Sequence, residues 1–133
     1  QSGHLGRLGE ENLALIREAV DYYKSYRRLI GRSYPFWPLG MPSFDGQRFA
    51  VGFANDECAH LAVWRLDDPE GTTALPLQAY RQLPVCQDKT IAGIEVVYPK
   101  SLPTGICYHG ESGILEVSQP LRSARLLKIR WEK

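Results

Sequence analysis

Hydrophobic residues near the start of the chain recur with a helical period. Leu13, Ile16, Val20, Tyr23 and Ile30 fall at spacings of three, four, three and seven, which places them on one stripe of an α-helix. Glu10 and Glu11 open this segment, Lys24, Arg27 and Arg28 close it, and Gly31 follows. The charges complement the helix dipole and the glycine offers a left-handed stop, so a helix is expected from Gly9 to about Ile30 with one face made for burial. After Gln47 the period drops to two. Arg48–Ala54, Glu57–Leu66, Thr72–Leu77, Thr90–Tyr98, Gly105–His109, Ile114–Ser118 and Arg125–Trp131 are short runs rich in Val, Ile, Leu, Thr and aromatic residues. Turn-forming clusters at Asn55-Asp56, 67–71, 99–103, 110–113 and Gln119-Pro120 separate them, so each run reads as a strand. In the last one Leu127, Ile129 and Trp131 alternate with Lys128 and Arg130, an apolar side against a charged side.

Short strands at roughly ten-residue intervals, with no helix between them, cannot form the crossovers of a parallel sheet. The predicted fold class is mainly β: an antiparallel β-sandwich of Greek-key type preceded by one N-terminal amphipathic α-helix. Between the two, residues 33–46 hold three prolines and two glycines, which disfavour regular structure, while Tyr34, Phe36, Trp37, Leu39 and Phe44 call for burial. This segment reads as a packed strap across the seam between two units.

Composition narrows the class further. At 133 residues, 44% of them hydrophobic and 23% charged, the chain can bury a core of its own, and neither disorder nor a fibrous repeat fits. No apolar run reaches the roughly 18 residues that cross a bilayer, and the opening residues do not read as a signal peptide. Gln1-Ser2-Gly3-His4, without an initiating methionine, is expected of a segment within a longer chain. Sixteen Lys plus Arg against fifteen Asp plus Glu leave a net charge of +1, too little to steer nucleic acid or an anionic membrane. Neither is expected as a partner, and Arg122, Arg125, Lys128 and Arg130 read as a solvated face. Three scattered cysteines, Cys58, Cys86 and Cys107, allow at most one disulfide and favour a cytoplasmic location over a secreted one.

Two Cys-x-His pairs, Cys58/His60 and Cys107/His109, lie on predicted strands, where side chains two apart share a face. Neighbouring strands would bring a Cys₂His₂ zinc set together. Against this, same-face Cβ atoms stand roughly 6–7 Å apart, wider than in the turns that curl zinc knuckles around an ion. The reading is therefore two small buried cysteines and two partly exposed histidines, with no metal and no cofactor. Gly110-Glu111-Ser112-Gly113 falls one residue short of a nucleophile elbow and reads as a hairpin turn, and no phosphate-cradling glycine motif occurs. Asp45, Asp56, Asp67, Asp68, Glu70, Asp88 and Glu111 sit in predicted turns and Glu95 and Glu116 on strands; no spacing selects the pair that glycoside hydrolysis requires, so no catalytic residue is assigned. Trp64 and Tyr108 are candidates for stacking on a sugar ring, with an ordinary place in the core as the competing role.

Five stretches, taken in order, resemble the end of an α-galactosidase (melibiase), the glycoside hydrolase family that joins a (β/α)8 barrel to a C-terminal antiparallel sandwich. Ser2-Gly3-His4-Leu5-Gly6-Arg7-Leu8-Gly9-Glu10-Glu11 is similar to the start of the last barrel helix, and Tyr22-Tyr23-Lys24-Ser25-Tyr26-Arg27-Arg28-Leu29-Ile30 to its end. Pro35-Phe36-Trp37-Pro38-Leu39-Gly40 resembles the connection that follows. His60–Arg65 is similar to an early sandwich strand and Ser123–Leu127 to the closing one. This resemblance implies that residues 1–32 end a barrel, 33–46 connect, and 47–133 form the C-terminal sandwich. It implies a non-catalytic accessory domain that packs on the catalytic barrel of the same parent chain and meets carbohydrate through that parent. The parent would be a retaining glycosidase whose two catalytic aspartates lie on barrel strands outside this sequence. Ser2, Gly3 and His4 would border its sugar pocket. Leu13, Ile16, Val20 and Tyr23 on the helix, with Tyr34, Phe36, Trp37, Leu39 and Phe44 in the strap, would form the domain interface. The same helical stripe would suit a homo-oligomer, and an independent carbohydrate-binding sandwich is the alternative function.

Overall fold

The computed structural model describes residues 18, 21, 32–40, 46–100 and 102–133. Glu18 and Asp21 have helical backbone, while Ser2, Gly3, His4, Leu13, Ile16, Val20, Tyr23 and Phe44 lie outside the described residues. The described residues form eight strands: β1 Tyr34–Phe36, β2 Arg48–Ala54, β3 Cys58–Arg65, β4 Thr72–Pro76, β5 Ile91–Tyr98, β6 Gly105–His109, β7 Ile114–Ser118 and β8 Ser123–Trp131. They build two antiparallel sheets, one ordered β1-β2-β3-β8-β5 and the other β4-β7-β6. The chain changes sheet at β3–β4, β4–β5, β5–β6 and β7–β8, and the last strand inserts between β3 and β5. That order is the crossing connectivity of a sandwich, not a meander.

Local chemistry fixes the corners. At the β2–β3 turn the Asn55 side-chain oxygen accepts the backbone N–H groups of Glu57 at 2.7 Å and Cys58 at 3.0 Å, a turn geometry that asparagine forms with its own chain. At the β6–β7 turn the Gly113 N–H donates to His109 O at 2.8 Å, and Gly113 sits at φ 73°, where a side chain would be strained. The hairpin expected at Gly110–Gly113 is thus formed.

The inner faces of both sheets share one core: Ala50, Ala54, Ala59, Leu61, Val63, Leu127, Ile129 and Trp131 from one side, Leu75, Leu115 and Val117 from the other. Strand β2 is unusual in turning its small residues, Ala50, Gly52 and Ala54, inward and its large ones, Phe49, Val51 and Phe53, outward. Phe36 resolves the shortage of inward volume. It pairs with Gly52 in the ladder, and its ring occupies the place a Cβ at Gly52 would need.

Two expectations are corrected here. Residues 34–36, placed by their prolines and aromatics in an irregular strap, form a strand; it is an edge strand, where the missing N–H of Pro35 need cost no ladder bond. The link between β4 and β5, expected to be helix-free, carries two short 3-10 segments, Leu77–Gln82 and Pro84–Cys86. Tertiary contacts hold the first in place: Tyr80 packs on Trp131 with ring centroids 4.9 Å apart, and its hydroxyl donates to Lys89 O at 2.6 Å.

Candidate functional site

The outward face of β2 and β3 carries the main candidate site. Alternation along β2 puts Phe49, Val51 and Phe53 on this face, and the ladder sets them opposite Trp64, Ala62 and His60 of β3. Leu126 of β8 continues the middle row beside Ala62. Trp37, just past β1, joins Phe49, Ala50, Val51, Trp64 and Leu66 around an open groove of about 450 Å³. The Trp37 and Trp64 side chains are each 37% exposed and Phe53 is 36% exposed, so large rings stand in water on a sheet whose other face is already the core. Among the described residues, no carboxylate, hydroxyl, amide or cationic side chain lines this groove.

The strap residues divide. Tyr34, Trp37 and Leu39 are exposed, but Phe36 is 3% exposed. It belongs to the sandwich's own core, where Gly52 makes room for it. The two stacking candidates divide as well. Trp64 faces outward into the groove, whereas Tyr108 is partly buried and packs against the core cluster; burial, and then the neighbouring Tyr80, push its hydroxyl pKa upward. Strand alternation decides both cases, because Ile106 and Tyr108 share the inner face and leave Cys107 and His109 outside.

The two Cys-x-His pairs are on different sheets and do not form one site. The expectation of two buried cysteines and two partly exposed histidines is also corrected, because the pairs are unlike. Cys58 and His60 are both buried at 4% exposure, on the side of β3 away from the core residues Ala59, Leu61 and Val63. Burial raises the Cys58 thiol pKa. Burial, reinforced by Lys128 across the ladder, lowers His60 to about 4. Both groups are therefore neutral near pH 7, which leaves neither thiolate nor imidazolium chemistry at that pair. Burial likewise raises Cys86, and all three cysteines are free thiols.

Cys107 and His109 are exposed, and Glu116 joins them. It sits directly opposite Cys107 in the β6–β7 ladder, and its Oε1 lies 2.7 Å from His109 Nε2. Pairwise, donor atoms of the three residues all lie within 4.8 Å. Sequence reasoning missed Glu116, although the hairpin at Gly110–Gly113 held the signal: pairing His109 with Ile114 fixes Cys107 opposite Glu116.

At the level of class, the chain is a two-sheet antiparallel β-sandwich with an uncovered apolar groove on its larger sheet. No protein-family model, no curated protein and no solved structure matches it.

Proposed function

We propose that this chain is a non-catalytic accessory domain whose β2–β3 face docks on an apolar surface of a larger enzyme. The parent we propose, from the sequence resemblance, is an α-galactosidase-like glycoside hydrolase, with the sandwich packed on its catalytic barrel. One observation carries the docking reading: the groove on the outer face of β2–β3 is lined, among the described residues, by Trp37, Phe49, Val51, Trp64 and Leu66, whose only polar side-chain groups are the two indole N–H donors. Burying each large side chain against a partner would contribute about 1.5–3 kcal/mol, and patches of this kind mark interfaces on folded domains.

The two tryptophans also favour a second reading, a sugar platform, since rings stack on pyranose faces. Ligand sites, however, fix orientation with a few placed polar groups, and this groove offers none beyond the indoles. Docking is therefore the better account. The purified chain should not turn over a chromogenic α-galactoside, and its titration with galactosides should be flat; turnover would sink the non-catalytic reading. Affinity for galactosides that disappears in Trp64→Ala would replace docking by sugar binding. In the intact parent enzyme, Phe49→Ser with Trp64→Ser should lower the unfolding temperature by several degrees and leave turnover unchanged. An unaltered unfolding temperature would count against this face as the seam.

A further inference from the structure

We propose that Cys107, His109 and Glu116 form a three-ligand site for a zinc-type divalent ion on the outer face of the smaller sheet. This site is independent of the docking groove, which lies on the other sheet. Three features converge on it. The first is placement. Cys107 and His109 are two residues apart on β6, outside the core-facing Ile106 and Tyr108. Glu116 stands on the central strand β7 between the buried Leu115 and Val117. All three side chains therefore leave one face, from backbone pinned in a ladder, and sites built on strands hold geometry better than sites on loops.

The second feature is reach. The donor atoms lie within 4.8 Å of one another. Zinc bonds of about 2.0–2.3 Å in a tetrahedron put donors about 3.3–3.8 Å apart, so an adjustment on the order of 1 Å suffices. His109 and Glu116 are nearly half exposed, at 49% and 45%, and can turn without disturbing packing. The 2.7 Å contact between His109 Nε2 and Glu116 Oε1 sets imidazole and carboxylate side by side, and an ion bound between them replaces their shared proton, which is released to solvent.

The third feature is donor chemistry. One thiolate, one imidazole and one carboxylate suit zinc, whereas magnesium and calcium take oxygen alone. Three protein ligands leave the fourth tetrahedral position to solvent. The arrangement also answers the objection that same-face strand neighbours stand too far apart for a zinc knuckle. The third ligand comes from the adjacent strand, and opposite residues in a ladder have Cβ atoms only about 4.5–5.5 Å apart.

Cobalt titration of the full chain, stripped of metal and kept reduced, tests this. A thiolate-to-cobalt charge-transfer band should grow in, saturate at one ion per chain, and be displaced by zinc. Cys107→Ser should abolish the band, while Cys58→Ser should leave it intact. His109→Ala and Glu116→Gln should each weaken binding at least about tenfold, the loss that even supporting residues of a metal site cause. The glutamine variant preserves a hydrogen bond to His109 but removes the anionic ligand, so it separates ligation from mere positioning. Affinity should fall on acidification, because protons compete for the same donors. No band in the wild-type chain, a band that survives Cys107→Ser, or wild-type affinity in Glu116→Gln would each overturn the assignment.

Discussion

His60 and Gly52 illustrate how much a single position in this molecule depends on its surroundings. His60 is opposite Phe53 on one side and Lys128 on the other, with Glu95 beyond Lys128. Its folded pKa of about 4 lies below the unfolded value near 6.5, so the unfolded chain takes up the proton first as pH falls. The stability contributed by the neutral ring is intact above about pH 6.5 and is lost progressively down to about pH 4, a change on the order of 3 kcal/mol. Urea unfolding across this range should show a shallower acid limb in His60→Gln than in the wild-type chain; parallel profiles would refute the assignment. At Gly52 a Cβ would overlap the Phe36 ring. Gly52→Ala should cost about 1–3 kcal/mol by overpacking, and Phe36→Ala about 3–5 kcal/mol by opening a cavity. Because the two share one space, the double variant should lose less than the sum of the two, which denaturant melts of all four chains would reveal. Sequence reading found Phe36 as a residue that demands burial, yet it could not find the partner, because only the β1–β2 register sets its ring over a glycine.

Among the elements, strand boundaries were the most legible feature. β2, β6 and β7 have the limits expected from alternation and turn residues, and β3, β4, β5 and β8 differ from expectation only at their ends. Loops between the sheets were not legible, since buried arginines hold them by long-range bonds. Arg65 is 7% exposed and donates to Asp68 O at 3.0 and 2.9 Å and to Gln119 O at 2.6 Å, tying the loop after β3 to the end of β7. Arg125 does the same for Pro103 and Thr104, and burial lowers its pKa. Arg48 completes the fastening through Asp68, at 2.9 Å; that hydrogen bond holds the Asp68 carboxyl below the usual carboxylate range. Arg65→Met keeps the aliphatic stem but leaves those carbonyls without a charged donor, so it should destabilise by about 2–4 kcal/mol in denaturant titration. A loss under about 0.5 kcal/mol, typical of surface changes, would mean that water replaces the guanidinium. Read from sequence, Arg125 looked like part of a solvated face, whereas the fold makes it an internal clamp.

For the whole molecule, the consequence of this architecture is that the larger sheet is apolar on both faces around Phe49, Val51 and Trp64, and charged on its outer face around Glu95, Lys128 and Arg130. Its inner face meets the smaller sheet, and the outer face around Phe49 and Trp64 has more exposed ring surface than a sandwich needs for its own stability. The smaller sheet is sided in the ordinary way, with Leu115 and Val117 inside and Glu116, Cys107 and His109 outside. The docking groove and the proposed metal site thus lie on the outer faces of two different sheets.

Alternation and turn chemistry by themselves determined the mainly β class, the antiparallel sense and the strand positions, because a period of two and the residues that permit tight corners are local properties of the chain. They did not determine which side of each strand was inside. On β2 both sides are apolar, and only the pairing with β1 and β3 decided that alanine and glycine face the core while phenylalanine faces out. Tertiary structure alone separated Cys58 and His60 from Cys107 and His109, and it alone brought Glu116 to the second pair. Such neighbours come from strand pairing across the fold, and their proximity is set by the ladder, not by distance along the sequence.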